Sequence, residues 1–356
     1  MANKKLNDYR LLGKTGLRVS PLSLGTMTFG EDWGWGASKE SAKEIFQTFV
    51  EAGGNLIDTA DLYTGGKSEE FIGEFTKEMN VRDHVVIATK FSYNTQPGNP
   101  NAGGNGRKNI IRAVEGSLKR LGTDYIDLLF LHTYDMLTPV EEVMSTLNDL
   151  VRQGKVLHIG LSDVPAWYAS RAQTIAELKG YEPISALQME YSLVSRSLER
   201  EHAPLAKELG ISLMPWSPLA SGVLTGKYSL DENGKIQGEG RMAAVENSGN
   251  PVFEKFYTKR NFKIVETLKE VASELGRTPA EVAISFVANR PQVATTLISG
   301  TKVSQLQSNI NALEIEIPEE LNQRLLDVSR IESNELDDFF TPELQAGING
   351  GTKIRK

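Results

Sequence analysis

The sequence predicts an α/β chain folded as a single (β/α)8 TIM barrel, with an N-terminal β-hairpin beneath it and long loops over its C-terminal mouth. Three observations lead there. Short β-branched or leucine-rich runs alternate with longer stretches whose apolar residues recur at helical spacing, and the alternation repeats eight times. Chemistry-bearing residues fall at the C-terminal ends of successive runs, at Asp58, Lys90, His132, Ser162, Gln188 and Trp216. The two long polar, Gly-rich segments, 92–107 and 222–261, follow the third and seventh runs, so both lie over the same mouth. An open doubly wound sheet is the competing arrangement, but it would gather its ligand residues at one switch point.

Taken in order, 9–19 holds two short apolar runs around Gly13 to Gly16, a hairpin placed to cap the barrel bottom. The strand runs are 22–25, 55–58, 85–90, 126–132, 156–162, 186–190, 211–216 and 295–299. Helical periodicity covers 41–52, 68–79, 109–121, 139–153 and 262–275, with Ser41, Ser68 and Thr138 at the positions of N-caps. No composition shift marks a domain boundary, so residues 1–356 are expected to form one domain with a flexible tail over about 331–356.

Composition narrows the classes. No apolar run approaches the roughly 20 residues of a membrane span, and the first residues lack the apolar core of a secretory signal. With no cysteine there is neither a disulfide framework nor a thiolate metal site, and a cytoplasmic protein is expected. A net charge of -7 argues against a nucleic-acid footprint, so any anionic ligand must meet a local cationic cluster.

Other signals fail on inspection. Gly66-Lys67-Ser68 resembles the end of a P-loop, but Asp61 stands where that motif needs glycine. Gly103-Gly104-Asn105-Gly106 lacks the dinucleotide-binding spacing and reads as a flexible loop. The four histidines show no metal-ligand spacing, and no GxSxG elbow is present, so neither a metal site nor a hydrolase triad is expected.

Four residues at three successive strand ends carry the chemistry: Asp58 and Tyr63 after the second strand, Lys90 on the third and His132 on the fourth. Each alone has a bland reading. Lys90 reads as a solvated strand end, His132 as a core histidine, Asp58 as a cap and Tyr63 as a rim aromatic. Together they would converge, because neighbouring strands lie only about 4.8 Å apart. The set suits carbonyl reduction, in which hydride reaches carbon and a proton must reach oxygen at neutral pH. Lys90 is expected to lower the Tyr63 pKa, Asp58 to hold Lys90 in place, and His132 to bond the substrate oxygen.

The segments IDTADLY, IATKF, LLFLH, IGLSD, LQMEYS and MPWSPLASGVLTGKY resemble, in order and at strand ends, those of the aldo-keto reductase superfamily. The resemblance runs from Leu11 to about Leu313 and is closest to the aryl-alcohol dehydrogenase branch. It implies Asp58, Tyr63, Lys90 and His132 as a catalytic tetrad, and NADPH lying across the mouth without a Rossmann fold. It further implies Thr26 at the nicotinamide ribose, and Ser162, Asp163 and Gln188 at the carboxamide. Asp163 departs from the more frequent family asparagine. Trp216 matches the aromatic that stacks on nicotinamide, against the alternative of a core tryptophan. Ser217, Pro218, Leu219, Gly222, Leu224 and Lys227 match the loop over the pyrophosphate. Gly300, Thr301, Lys302, Gln305 and Asn309 match the adenosine phosphate site, where Lys302 and a helix start suit the 2'-phosphate. Arg241 is a second candidate cation for that phosphate.

For the substrate, Trp33 and Trp35 after the first strand, Phe91 in the third loop and the tail beyond Ser329 give an apolar, aromatic lining. Aldehydes or ketones with aromatic or hydrophobic bodies are expected, interconverted with their alcohols. The rival reading is an NADPH-binding regulatory subunit of the channel beta-subunit type, with slow turnover. Retention of all four tetrad residues favours the enzyme.

Overall fold

The computed structural model describes residues 5–230, 236–238, 255–256 and 258–352, so Arg241 lies outside the described residues. Eight parallel strands run in sequence order around one sheet: β1 (Leu22–Gly25), β2 (Leu56–Asp58), β3 (Val86–Phe91), β4 (Ile126–Leu131), β5 (Val156–Ser162), β6 (Ile184–Gln188), β7 (Ser212–Leu213) and β8 (Thr296–Ile298). β8 pairs with β1, and the seam between β7 and β8 is joined by backbone hydrogen bonds. There the Leu213, Ala294 and Leu297 N–H groups donate to Gln292, Leu213 and Pro215 carbonyls at 2.8, 3.1 and 2.9 Å. All eight predicted strands are present, though β7 is shorter than 211–216 because Pro215 has no N–H to give the ladder.

Alternation along these strands divides the core in two. Leu56, Val86, Ala88, Leu128, Phe130, Ala186 and Met214 point into the barrel, while Ile57, Ile87, Phe91, Leu129 and Leu161 point outward under the helices. The hairpin, Arg10–Leu11 paired with Arg18–Val19, sends Leu12 and Val19 into the inner core from below. It closes the bottom, as its sequence predicts. Gly13, at φ 57°, is required at that turn because a Cβ there would lie 2.5 Å from the Ser185 carbonyl oxygen. Gly160 is required inside, since its Cβ would meet the facing Phe130 ring at 2.3 Å.

Helices cover the outside, among them Lys39–Glu51, Lys67–Glu78, Arg107–Leu121, Val140–Arg152, Ala166–Lys179 and Lys259–Glu274. The predicted caps are corrected. Ser38, not Ser41, caps the first helix, its hydroxyl accepting from the Ser41 N–H. Ser68 is buried in the helix that starts at Lys67, and its hydroxyl bonds to those of Thr26 and Thr59 at 2.8 and 2.9 Å. Ahead of Val140 it is the Asp135 carboxylate that accepts from the Leu137 and Thr138 N–H groups. The tail holds a 3-10 turn, Asp337–Phe340, and a helix, Pro342–Ile348, with no buried residue; Arg200 reaches Asp337 at 3.4 Å. Among the described residues no helix is long and apolar enough to cross a membrane, and no group of three His, Asp or Glu could hold a metal.

Candidate active site

The period of two that fills the barrel also builds the site. Asp58 lies two residues above Leu56, Lys90 above Ala88, His132 above Phe130, Ser162 above Gly160, Gln188 above Ala186 and Trp216 above Met214. Each therefore leaves the inner core at its top and faces the mouth.

Lys90 is fully buried, and its three ammonium hydrogens have three acceptors. Asp58 Oδ2 lies at 2.6 Å, the Thr59 carbonyl at 2.7 Å and the Tyr63 hydroxyl at 3.5 Å. Gln188 Nε2 donates to the other Asp58 oxygen at 2.7 Å, so the carboxylate is held from both sides. Burial pushes the Asp58 carboxyl up and the Lys90 ammonium down, and each charge opposes the shift of the other. The His132 ring meets Tyr63 edge-on at 5.9 Å and Tyr93 at 5.0 Å. Burial, then the Lys90 charge, pushes His132 well below its usual range, so it is neutral, and its buried Nδ1 has no partner among the described residues.

The lowering expected from Lys90 is outweighed at Tyr63. Its hydroxyl is pushed well above 10, first by burial and then by the Asp58 and Asp163 carboxylates. Lys90 is drawn so tightly to Asp58 and Thr59 that its longest contact is the one to Tyr63. Tyr63 therefore keeps its proton throughout the neutral range.

Around this centre Trp33 packs edge-on against Tyr63 at 6.4 Å and tilts against Trp35 at 5.5 Å. Phe91 is not in the mouth. It follows inward-facing Lys90, so it points outward and is fully buried beneath the helices. Tyr93, two residues on and 47% exposed, takes that place against His132; the strand period with Lys90 inward already excluded Phe91. The Gly103–Gly106 stretch is pinned, with Asn105 accepting from Ser92 Oγ at 2.6 Å and donating its N–H to Asp135 at 2.7 Å.

The positions expected to hold a dinucleotide divide into three groups. Ser162, Asp163, Gln188 and Trp216 come together at the ends of β5 to β7, and Trp216 Nε1 donates to Asp163 Oδ1 at 3.1 Å. Next to them Ser217, Ala220, Ser221 and Gly222 have left-handed backbones in a tight turn whose Ala220, Ser221 and Gly222 N–H groups bond back to Ser217 and Leu219; Pro218 is buried, Leu219 half-buried and Lys227 exposed. Lys302 begins the helix Val303–Asn311 without a side-chain cap, leaving its first N–H groups for an anion. Gln305 braces this start by accepting the Thr301 N–H at 2.8 Å, and Asn309 donates to the Ser299 carbonyl at 3.0 Å. Thr28, missed in the sequence, ties the first loop to Ser299 and the Gly300 carbonyl at 2.9 and 3.1 Å. Two of the expected positions lie deep. Thr26 is fully buried, its hydroxyl donating to the Asp58 carbonyl at 2.9 Å, and the Leu224 side chain lies in the outer core. The remaining arrangement fits a long, flat, polyanionic cofactor.

A model of the aldo/keto reductase family matches residues 21–330. The chain belongs to this family. It is 35% identical to an aryl-alcohol dehydrogenase of Pestalotiopsis microspora, over 97% of this chain and 86% of that protein. An NADP(+) aryl-alcohol dehydrogenase of Phanerodontia chrysosporium is also 35% identical, over 91% and 86%. So is a norsolorinic acid reductase of Aspergillus flavus, over 88% and 79%. This aldo/keto reductase is thus an oxidoreductase of carbonyl and alcohol groups, served by a nicotinamide cofactor.

Proposed function

We propose that this aldo/keto reductase is a cytoplasmic, single-domain enzyme that reduces aromatic or hydrophobic aldehydes and ketones with NADPH, reversibly, and that Tyr63 gives the proton. The observation that carries the reading is the buried Lys90–Asp58 pair with the Tyr63 hydroxyl at 3.5 Å from the ammonium.

The nicotinamide, when bound, supplies the hydride. Ser162, Gln188 and the Asp163 carboxyl would face its carboxamide, and Trp216 the ring. Ser217 to Gly222 would take the pyrophosphate, and Lys302 with its helix start the 2'-phosphate. In the reaction the substrate oxygen sits between Tyr63 and His132. Neutral His132 can donate one ring N–H to that oxygen and orient it. Tyr63 holds its proton until negative charge builds on the oxygen, then transfers it. Lys90 stabilises the phenolate that remains, and Asp58 keeps Lys90 from turning away. Trp33, Trp35 and Tyr93 form an aromatic rim that favours flat apolar substrates. Turnover of a panel of aldehydes, ketones and alcohols with NADPH and with NADH tests the reading. Reduction with NADPH preferred supports it; NADPH binding without turnover would favour the regulatory-subunit reading.

A further inference from the structure

Trp216 leaves the inner core at the end of β7 with its backbone fixed to the neighbouring strand: its N–H donates to the Met189 carbonyl at 3.0 Å, and its carbonyl accepts the Tyr191 N–H at 3.2 Å. Those bonds set the position of the residue, and the half-buried indole packs in part against the inner core, but neither fixes where its polar edge points. The polar edge of the ring is held by a hydrogen bond from Nε1 to Asp163 Oδ1 at 3.1 Å. Asp163 lies two strands away, directly after Ser162 at the end of β5, and has a left-handed backbone at φ 45°. Such a conformation is unfavourable for most residues and is best tolerated by aspartate and asparagine. Here it turns the carboxylate across the top of β6 toward the indole.

We propose that Asp163 is a positioning residue for Trp216, fixing the plane of the indole across the mouth through the Nε1–H to carboxylate bond. An indole has only one donor, so its acceptor decides where the ring edge lies. An ionised carboxylate makes that bond stronger than a neutral acceptor does. Asparagine at 163 would offer a neutral carbonyl and hold the ring more loosely. The role is distinct from contact with the nicotinamide amide, because it acts on the ring already in the free protein.

The same contact makes the mouth sensitive to pH. The surroundings push the Asp163 carboxyl up to about 6, chiefly by burial, with Glu190 raising it and the Trp216 bond, Lys90 and Lys255 lowering it. Arg200, Glu201, His202 and Asp337 line the cavity of about 780 Å³ that has Asp163 on its wall. As pH falls through about 6 the carboxylate gains a proton, the bond to Nε1 loses its charge assistance, and the indole loosens.

The test has two arms. In the free protein, Trp emission is followed from pH 8 to pH 5 in wild type, Asp163→Asn and Trp216→Phe. A transition near pH 6 that is absent from both variants is expected. Its persistence in Asp163→Asn would assign it to other groups and overturn the proposal. The second arm rests on the proposed NADPH function: at pH 7.5, Asp163→Asn should weaken NADPH binding about three- to tenfold, but less than about twofold in a Trp216→Phe background. Equal losses in the two backgrounds would overturn a role exerted through Trp216. If wild type fails to bind NADPH, the cofactor reading falls, and the emission arm decides the Asp163–Trp216 contact.

Discussion

At Lys90 all three N–H groups have acceptors, and the longest of the three bonds faces Tyr63, the one group expected to change charge. This ordering sets a sign. With burial and the carboxylates of Asp58, Asp163 and Asp61 already raising the tyrosine, removal of the ammonium raises it further. Lys90→Met should therefore move the alkaline-side appearance of the Tyr63 base, read in alcohol oxidation, to higher pH, along with a large loss of rate; an unmoved profile would contradict the contact. Tyr93 and Phe91 separate in the same way. Tyr93→Ala should change KM for aromatic substrates several-fold, roughly the effect of one aromatic contact of about 0.5–1.5 kcal/mol. Phe91→Leu should alter stability and leave KM alone. Asp61 supplies a stability test. Its buried carboxyl has no side-chain hydrogen bond among the described residues, and burial, then Glu69, pushes it up to about 7 against the lowering by Arg120, Arg112 and the Leu62 N–H. Its unfolded value is about 3.9, so the folded state loses stability as pH rises between the two. Asp61→Asn should raise the unfolding free energy more at pH 8 than at pH 5, the two gains differing by about 2–3 kcal/mol; equal gains would show that the carboxyl does not titrate there.

Among the elements, the hairpin is the clearest case of a short sequence with a large packing role. Leu12 and Val19 have no exposed surface and close the inner core from below. Leu12→Ala should destabilise the fold by about 2–5 kcal/mol in urea unfolding, with the activity of the folded fraction kept. A loss under about 1 kcal/mol would mean that the barrel floor does not depend on this plug. The strands were legible because period two and β-branched runs are local properties, and the site was legible because that period carries straight on from core to mouth. Helix starts were less so. Ser38, Ser41 and Ser68 are the same residue type near helix starts, and only tertiary contacts decide that Ser38 caps while Ser68 ties Thr26 to Thr59.

Across the whole molecule, strand order and closure follow from repetition, so one chain pattern settles the barrel. What the pattern did not carry is electrostatic. Lys90 is one neighbour of Tyr63, whereas the folded mouth adds burial and the carboxylates of Asp58 and Asp163, which come from separate strand ends. Thr26 and Leu224 show the corresponding limit for contacts: the right segment reaches the mouth, but depth within it depends on packing from distant loops. The proposed reaction centres on Tyr63 as the proton donor beside a nicotinamide site. Its most direct test is single-turnover oxidation of bound NADPH by an aromatic aldehyde in wild type and Tyr63→Phe, with NADPH affinity measured by fluorescence in the same samples. The predicted result is unchanged NADPH affinity and a rate lower by about 10² to 10⁴. A Tyr63→Phe rate within a few-fold of wild type would contradict it.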